Sequence, residues 1–128
     1  MNIKLSKLLD ICHPVKDGAW GTGVIPAWMI HKRVRKQNTY DHETWARIAT
    51  HHDYNILPWL HAGRIAYFVL NGWTDPISLE IGVPGMFEPE WIIDDGNHRT
   101  AAAWFMNKEY IDVDFSGDVD LFNDLFLT

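Results

Sequence analysis

Trp91-Ile92-Ile93-Asp94-Asp95-Gly96-Asn97-His98-Arg99-Thr100-Ala101-Ala102-Ala103-Trp104-Phe105 changes character twice in fifteen residues. The apolar, β-branched run at 91–93 predicts a short buried strand. A polar knot follows at 94–99, holding two carboxylates, a glycine, an amide, an imidazole and a guanidinium. The alanine run with Trp104 and Phe105 predicts a helix that packs closely against a neighbour. Strand, glycine turn and helix start together aim backbone N–H groups and the positive end of a helix dipole at whatever lies over the turn. That favours an anion, and phosphate above all.

Working outward, residues 76–81 alternate and predict a strand with Ile77, Leu79 and Ile81 inward. Residues 82–90, with Gly82, Pro84, Gly85 and Pro89 around Met86 and Phe87, predict a loop or hairpin back to Trp91. Asn107 and Lys108 end the alanine helix. A strand is expected over 111–115, and Gly117 breaks it. Leu121, Phe122, Leu125 and Phe126 then recur at helical spacing. Upstream, a helix beginning near residues 55–58 carries Leu57, Leu60, His61, Ile65, Phe68 and Val69 and stops at Asn71-Gly72. Another starts at Asp41 as N-cap, with Glu43 in its first turn and Trp45, Ile48 and Ala49 on one face through about His52. Residues 28–35 mix apolar and basic side chains without a clean period and stay unassigned. Residues 18–26 form a glycine-containing loop pinned by Trp20, and residues 3–9 suit a strand running into a short turn. The whole predicts mixed α and β: a small mixed sheet flanked by helices around one core.

At 128 residues the chain fits one domain, expected to span 1–128 and to bury its core without a metal or disulfides. Apolar residues make up 47% and seven are tryptophans, which excludes a disordered chain. A net charge of -6 argues against nucleic-acid binding driven by bulk charge, although Lys32, Arg33, Arg35 and Lys36 form a local basic cluster. The single cysteine, Cys12, is expected to be an inert, partly buried thiol and suits a reducing compartment. The first residues are too polar for a signal peptide, and no run approaches the roughly 18 apolar residues of a membrane span. A cytoplasmic protein without a membrane partner is the expectation.

The knot offers several roles in one turn. Gly96 lets the backbone approach a ligand, and Thr100 with the amides from Asn97 onward can donate to phosphate oxygens. Arg99 supplies a planar fork for phosphate, and His98 an acid/base group. Asp94 and Asp95 can hold a magnesium ion bridging phosphates, or one can orient the attacking group. Glu80 is an outlying candidate base. The purely structural alternative has Asp95 capping the helix, Asp94 solvated and Arg99 paired with one of them. Among the histidines, His51, His52 and Asp53 at a helix end and His61 in the next helix lack the spacing of a zinc-hydrolase helix. Helix-end electrostatics explains them more simply. The basic run at 32–36 suits nucleic-acid phosphates or, more simply, a solvated face.

Asp95-Gly96-Asn97-His98-Arg99 before an alanine-rich helix resembles the signature of the ParB/sulfiredoxin-like superfamily, in the form Asp-Gly-x-His-Arg found in its nuclease-like and kinase-like branches. Residues 3–8, 65–79 and 111–115 are similar, in order, to the family's opening strand, its helix and Pro-Ile strand, and the strand after the signature helix; residues 9–62 diverge. The resemblance implies a nucleoside phosphate (ATP, ADP or CTP) with magnesium, its phosphates resting on the 96–100 turn. The reaction it implies is phosphoryl transfer, or phosphodiester or nucleoside triphosphate hydrolysis. Asn97 stands where sulfiredoxins carry their catalytic cysteine, which removes that chemistry. Partition-type members read Glu-Arg-Arg at 97–99 and continue into a helical DNA-binding domain, so chromosome partition is not expected. The competing expectation is a non-catalytic phage- or plasmid-type accessory protein that contacts a protein or nucleic-acid partner such as DNA through loops 18–26 and 82–90.

Overall fold

The protein is described here by a computed structural model over residues 1–52, 57–82 and 92–127. Its elements in chain order are β1 (Asn2–Lys4), α1 (Leu5–Ile11), α2 (Ala27–Arg35), α3 (His42–His52), α4 (Pro58–Asn71), β2 (Ile77–Glu80), β3 (Ile93–Asp95), α5 (Asn97–Phe105), β4 (Tyr110–Ser116) and α6 (Val119–Phe126). The four strands form one mixed sheet in the order β1-β4-β2-β3. β4 runs antiparallel to β1 and parallel to β2, and β3 closes the other edge antiparallel to β2. The fold is therefore α+β, as the alternating and helical periodicities predict.

Each central strand buries alternate residues. Ile111 and Val113 of β4 are buried while Tyr110, Asp112 and Asp114 are exposed, so one face is covered and the other meets water. On β2, Ile77 and Leu79 are buried, and Ile81 just beyond continues the stripe. Against them pack Leu5 and Leu8 of α1, Ala103 of α5, and Phe122 and Phe126 of α6. A second core joins Ala101 and Ala102 of α5 to Ala62 and Ile65 of α4 and Ile30 of α2. α5 is thus an inner layer, and three consecutive fully buried alanines are what let it lie close to the sheet and to α4 at once.

Several boundaries depart from the sequence expectation. The strand expected over 3–9 stops at Lys4, because Leu5, Leu8 and Cys12 bury one helical stripe. The strand expected at 91–93 lies further on: Ile92 is buried ahead of it, and β3 takes in Asp94 and Asp95. Trp91, Asp53, the helix start sought at 55–56, and residues 83–90 with Met86 and Phe87 lie outside the described residues. The unassigned stretch 28–35 is helix α2, whose period is masked by an inward-facing arginine. Arg33 is only 2% exposed; its Nη2 donates to the Tyr40 hydroxyl at 2.9 Å and the Trp59 carbonyl at 3.1 Å, and its guanidinium lies 4.0 Å from the Trp59 ring centre. The basic run therefore loses its central charge to the interior. Cys12 is buried as well, and burial pushes its thiol pKa up, away from the reactive thiolate.

α3 begins as expected. The Thr44 N–H donates to Asp41 Oδ1 at 2.8 Å, and this bond holds the Asp41 carboxyl below its usual range. Trp45, Ile48 and Ala49 do form its inward face, but none of residues 42–51 is fully buried.

Candidate functional site

β3 delivers two carboxylates to the start of α5, and Gly96 makes the corner between them. Gly96 is the N-cap, at φ 110°, and no side chain caps the helix. Asp95 therefore does not take the capping role of the structural alternative. Its carboxylate, 78% exposed, accepts from Arg99 Nη2 at 3.2 Å. The amide of Thr100 donates to the Gly96 carbonyl at 2.8 Å, while the N–H groups of His98 and Arg99 carry no hydrogen bond to the described residues.

A cavity of about 690 Å³ opens over this corner. Asp94, Asp95, Gly96, Asn97, His98 and Arg99 form one wall. The 72–76 segment after α4, with Trp73 and Asp75, forms a second, and Trp20, His42 and Trp45 close it from the loop and α3. Arg64, Tyr67 and Phe68 of α4 complete the lining.

The candidates named from sequence separate into two groups. Asp94, Asp95, Gly96, Asn97 and His98 meet at the cavity wall. Arg99 lies there too, but its Nη1 donates to the carbonyls of Asp75 at 2.9 Å and Pro76 at 3.3 Å, so much of its fork fastens the 75–76 turn to α5. Thr100 is fully buried and its hydroxyl donates to the Gly96 carbonyl at 2.8 Å, turned to the helix and away from the cavity. Glu80 is not in the lining; its carboxylate accepts from the Gly82 amide at 3.1 Å and the Ser116 hydroxyl at 2.8 Å. Among the described residues, no three His, Cys, Asp or Glu side chains are grouped closely enough to hold a metal ion by themselves. Two carboxylates at the mouth suit magnesium differently, since that ion takes one or two carboxylates together with substrate phosphates.

Two residues of α4 complete the site. Arg64 is 8% exposed, and Nη1 donates to the Tyr40 carbonyl at 3.1 Å. The guanidinium lies 4.4 Å from the Phe68 ring centre and 5.3 Å from that of Tyr67. No carboxylate pairs with it among the described residues. Burial lowers its pKa from a value so high that it stays charged at any working pH. A buried cation without a counter-ion costs several kcal/mol. It lines the same cavity as the positive end of α5.

His61, one turn before Arg64, is buried behind His98. His61 Nδ1 and His98 Nε2 are 2.9 Å apart, a hydrogen bond that needs a proton on one nitrogen and a lone pair on the other. Trp20 stacks on both imidazoles, at 4.4 Å from His61 and 4.5 Å from His98, with 22° between planes in each case. Trp45 meets His98 edge-on at 4.8 Å. Burial pushes the His61 pKa down to about 4. His98 is pushed well below its ordinary value by burial first, then by the charges of His61 and Arg64. Both are neutral at pH 7. Sequence reading placed Trp20 in a loop and His61 among weak metal candidates. It set His61, Ile65 and Phe68 on one helical stripe but left out Arg64, three residues after His61, which is buried on the same helix.

No family model, curated protein or solved structure matches this chain.

Proposed function

We propose that the cavity binds a nucleoside phosphate and that the protein transfers or hydrolyses its terminal phosphoryl group, as a member of the ParB/sulfiredoxin-like superfamily. The observation that carries the reading is Arg64: a buried guanidinium with no ion pair among the described residues, lining the same cavity as the N-terminus of α5. Phosphate oxygens would take donors from Arg64 and from the amides of His98 and Arg99, with the dipole of α5 behind them. Trp20, Trp45, Tyr67, Phe68 and Trp73 offer ring faces and edges for a base. A cavity of about 690 Å³ lies within the range typical of small-molecule sites.

Asp94 and Asp95 are the residues that would hold magnesium, which neutralises phosphate charge and orients the reacting group. His98, neutral and at the same wall, is the acid/base group the reading assigns. A second reading, binding without turnover, draws support from Arg99 and Thr100, whose polar groups already serve the fold.

The test is thermal unfolding with ATP, ADP and CTP, each with and without magnesium. A nucleotide at a hundred times its dissociation constant stabilises by about 2.7 kcal/mol. Arg64→Met, which keeps the apolar stem, should remove most of the shift. Absence of stabilisation by all three at millimolar concentration would sink the proposal. Stabilisation without release of phosphate would favour the second reading.

A further inference from the structure

The histidine pair is deeper than phosphate binding requires. His98 lines the cavity and His61 does not. A lone imidazole suffices to donate a hydrogen bond to phosphate. Here a second, buried imidazole sits behind the first at hydrogen-bonding distance, and a tryptophan face covers both rings. We propose that His98 and His61 form a proton relay: His98 takes the proton of the attacking hydroxyl or water and passes its own Nε2 proton to His61 Nδ1.

The inference rests on the nucleotide reading above and deepens it. In the competent tautomer, His98 donates from Nε2 to His61 Nδ1 and keeps a lone pair on Nδ1. The attacking oxygen forms a bond to the terminal phosphorus while the bond from that phosphorus to the bridging oxygen breaks. The nucleotide, one phosphate shorter, leaves with the electron pair. The attacker's proton arrives on His98 Nδ1, and the Nε2 proton crosses the 2.9 Å bond to His61, which becomes the imidazolium. After product leaves, the transfer reverses and His98 gives its Nδ1 proton to solvent.

Placement of the charge favours this direction. The charged and titratable groups that line the cavity with His98 are Arg64 and Tyr67 from α4, Asp75 from the segment after it, Arg99 from α5, Asp94 and Asp95 from β3, and His42 from α3. Arg64 repels a proton on His98. Handing the charge to His61 moves it off the cavity wall, while Trp20, stacked 4.4 Å from His61 and 4.5 Å from His98, presents its indole face to a cation on either ring. His98 would be a catalytic residue in the strict sense, and His61 a positioning residue that acts through it.

The experiment compares wild type with His61→Asn and His98→Asn. Asparagine carries a hydrogen-bonding group near the Nδ1 position and cannot take a proton. Nucleotide binding is read first, from the thermal shift with Mg-nucleotide. Turnover is then read as phosphate release against pH. The relay predicts that His61→Asn binds as well as wild type, with an unchanged KM and kcat reduced at least about tenfold, a modest share of the usual general acid–base contribution. The apparent pKa of its kcat profile should move relative to wild type, a change that loss of packing alone does not produce. In ring-nitrogen NMR of the uncomplexed protein, wild type should show one Nε2–H···Nδ1 hydrogen bond between the two imidazoles, absent from both variants. Unchanged kcat and pH profile in His61→Asn overturn the relay and leave nucleotide binding intact. Binding by wild type without phosphate release or transfer also overturns it. No binding at all overturns the nucleotide reading, and the relay with it.

Discussion

A β-carbon placed on Gly96 would fall 2.5 Å from Cγ2 and 2.7 Å from Cβ of Ile77. The glycine at the corner of the site therefore packs directly on the first residue of β2, and at φ 110° it also holds a conformation other residues resist. Ile77 is branched at Cβ and fully buried, so it has little room to yield. Gly96→Ala should lower stability by roughly 2–4 kcal/mol, the sum of strain and overpacking. Urea unfolding measures it; a loss under about 0.5 kcal/mol would contradict this packing.

The histidine pair makes stability depend on pH. His61 has a folded-state pKa of about 4 against 6.5 for an ordinary histidine, so between those values the unfolded chain binds the proton more tightly. Stability should be level above about pH 7 and fall as pH drops toward 4, with roughly 2 kcal/mol lost by pH 5 from His61 alone. His98 shifts in the same direction and adds to the slope. Urea midpoints at pH 7.5, 6 and 5 check the sign, and His61→Asn should flatten the curve.

Tyr40 serves two arginines at once. Its hydroxyl accepts from Arg33 and its carbonyl from Arg64, while its ring lies against Gly63, where a β-carbon would come 2.5 Å from Cε2. Tyr40→Phe removes the Arg33 acceptor and leaves the Arg64 carbonyl bond in place. It should cost about 1–3 kcal/mol of stability with little change in nucleotide binding. A variant that binds poorly yet unfolds normally would contradict that division.

Arg99 and Arg64 should respond differently to substitution. Arg99→Lys gives up the fork that spans the 75–76 carbonyls and Asp95, and should lower the melting temperature by several degrees, about 1–2 kcal/mol. Arg64→Met relieves a buried charge that has no ion pair among the described residues and should raise stability without ligand while removing most of the nucleotide shift. Differential scanning calorimetry with and without Mg-ATP separates the two.

Local patterning was legible wherever a single element decides it. Ile77, Leu79 and Ile81 alternate because one face of β2 is buried, and Asp41 marks the start of α3 because an N-cap needs only its own helix. Ile3, Leu5, Leu8 and Leu9 misled because an apolar run this short suits a strand almost as well as a helix. α2 resisted reading because Arg33, an interior residue here, counts as polar in any pattern. Within the site, the stretch from Asp94 to His98 was readable since strand, glycine and helix start are contiguous. Arg64, His61, Trp20 and Trp45 come from three other parts of the chain, and only tertiary packing brings them to His98.

α3 has no fully buried side chain among residues 42–51 and meets the site mainly through Trp45, which packs at 5.2 Å from His61 and 4.8 Å from His98. Helices with so little apolar surface covered open at low free-energy cost. The amides of α3 should exchange with deuterium far faster than those of α4, whose residues 61–66 are all buried. Trp45→Ala should widen the gap, and a bound ligand touching both walls should narrow it. Exchange mass spectrometry reads all three. The dryness of the two imidazoles is therefore a matter of lifetime as well as of architecture: it lasts as long as one tryptophan stays docked.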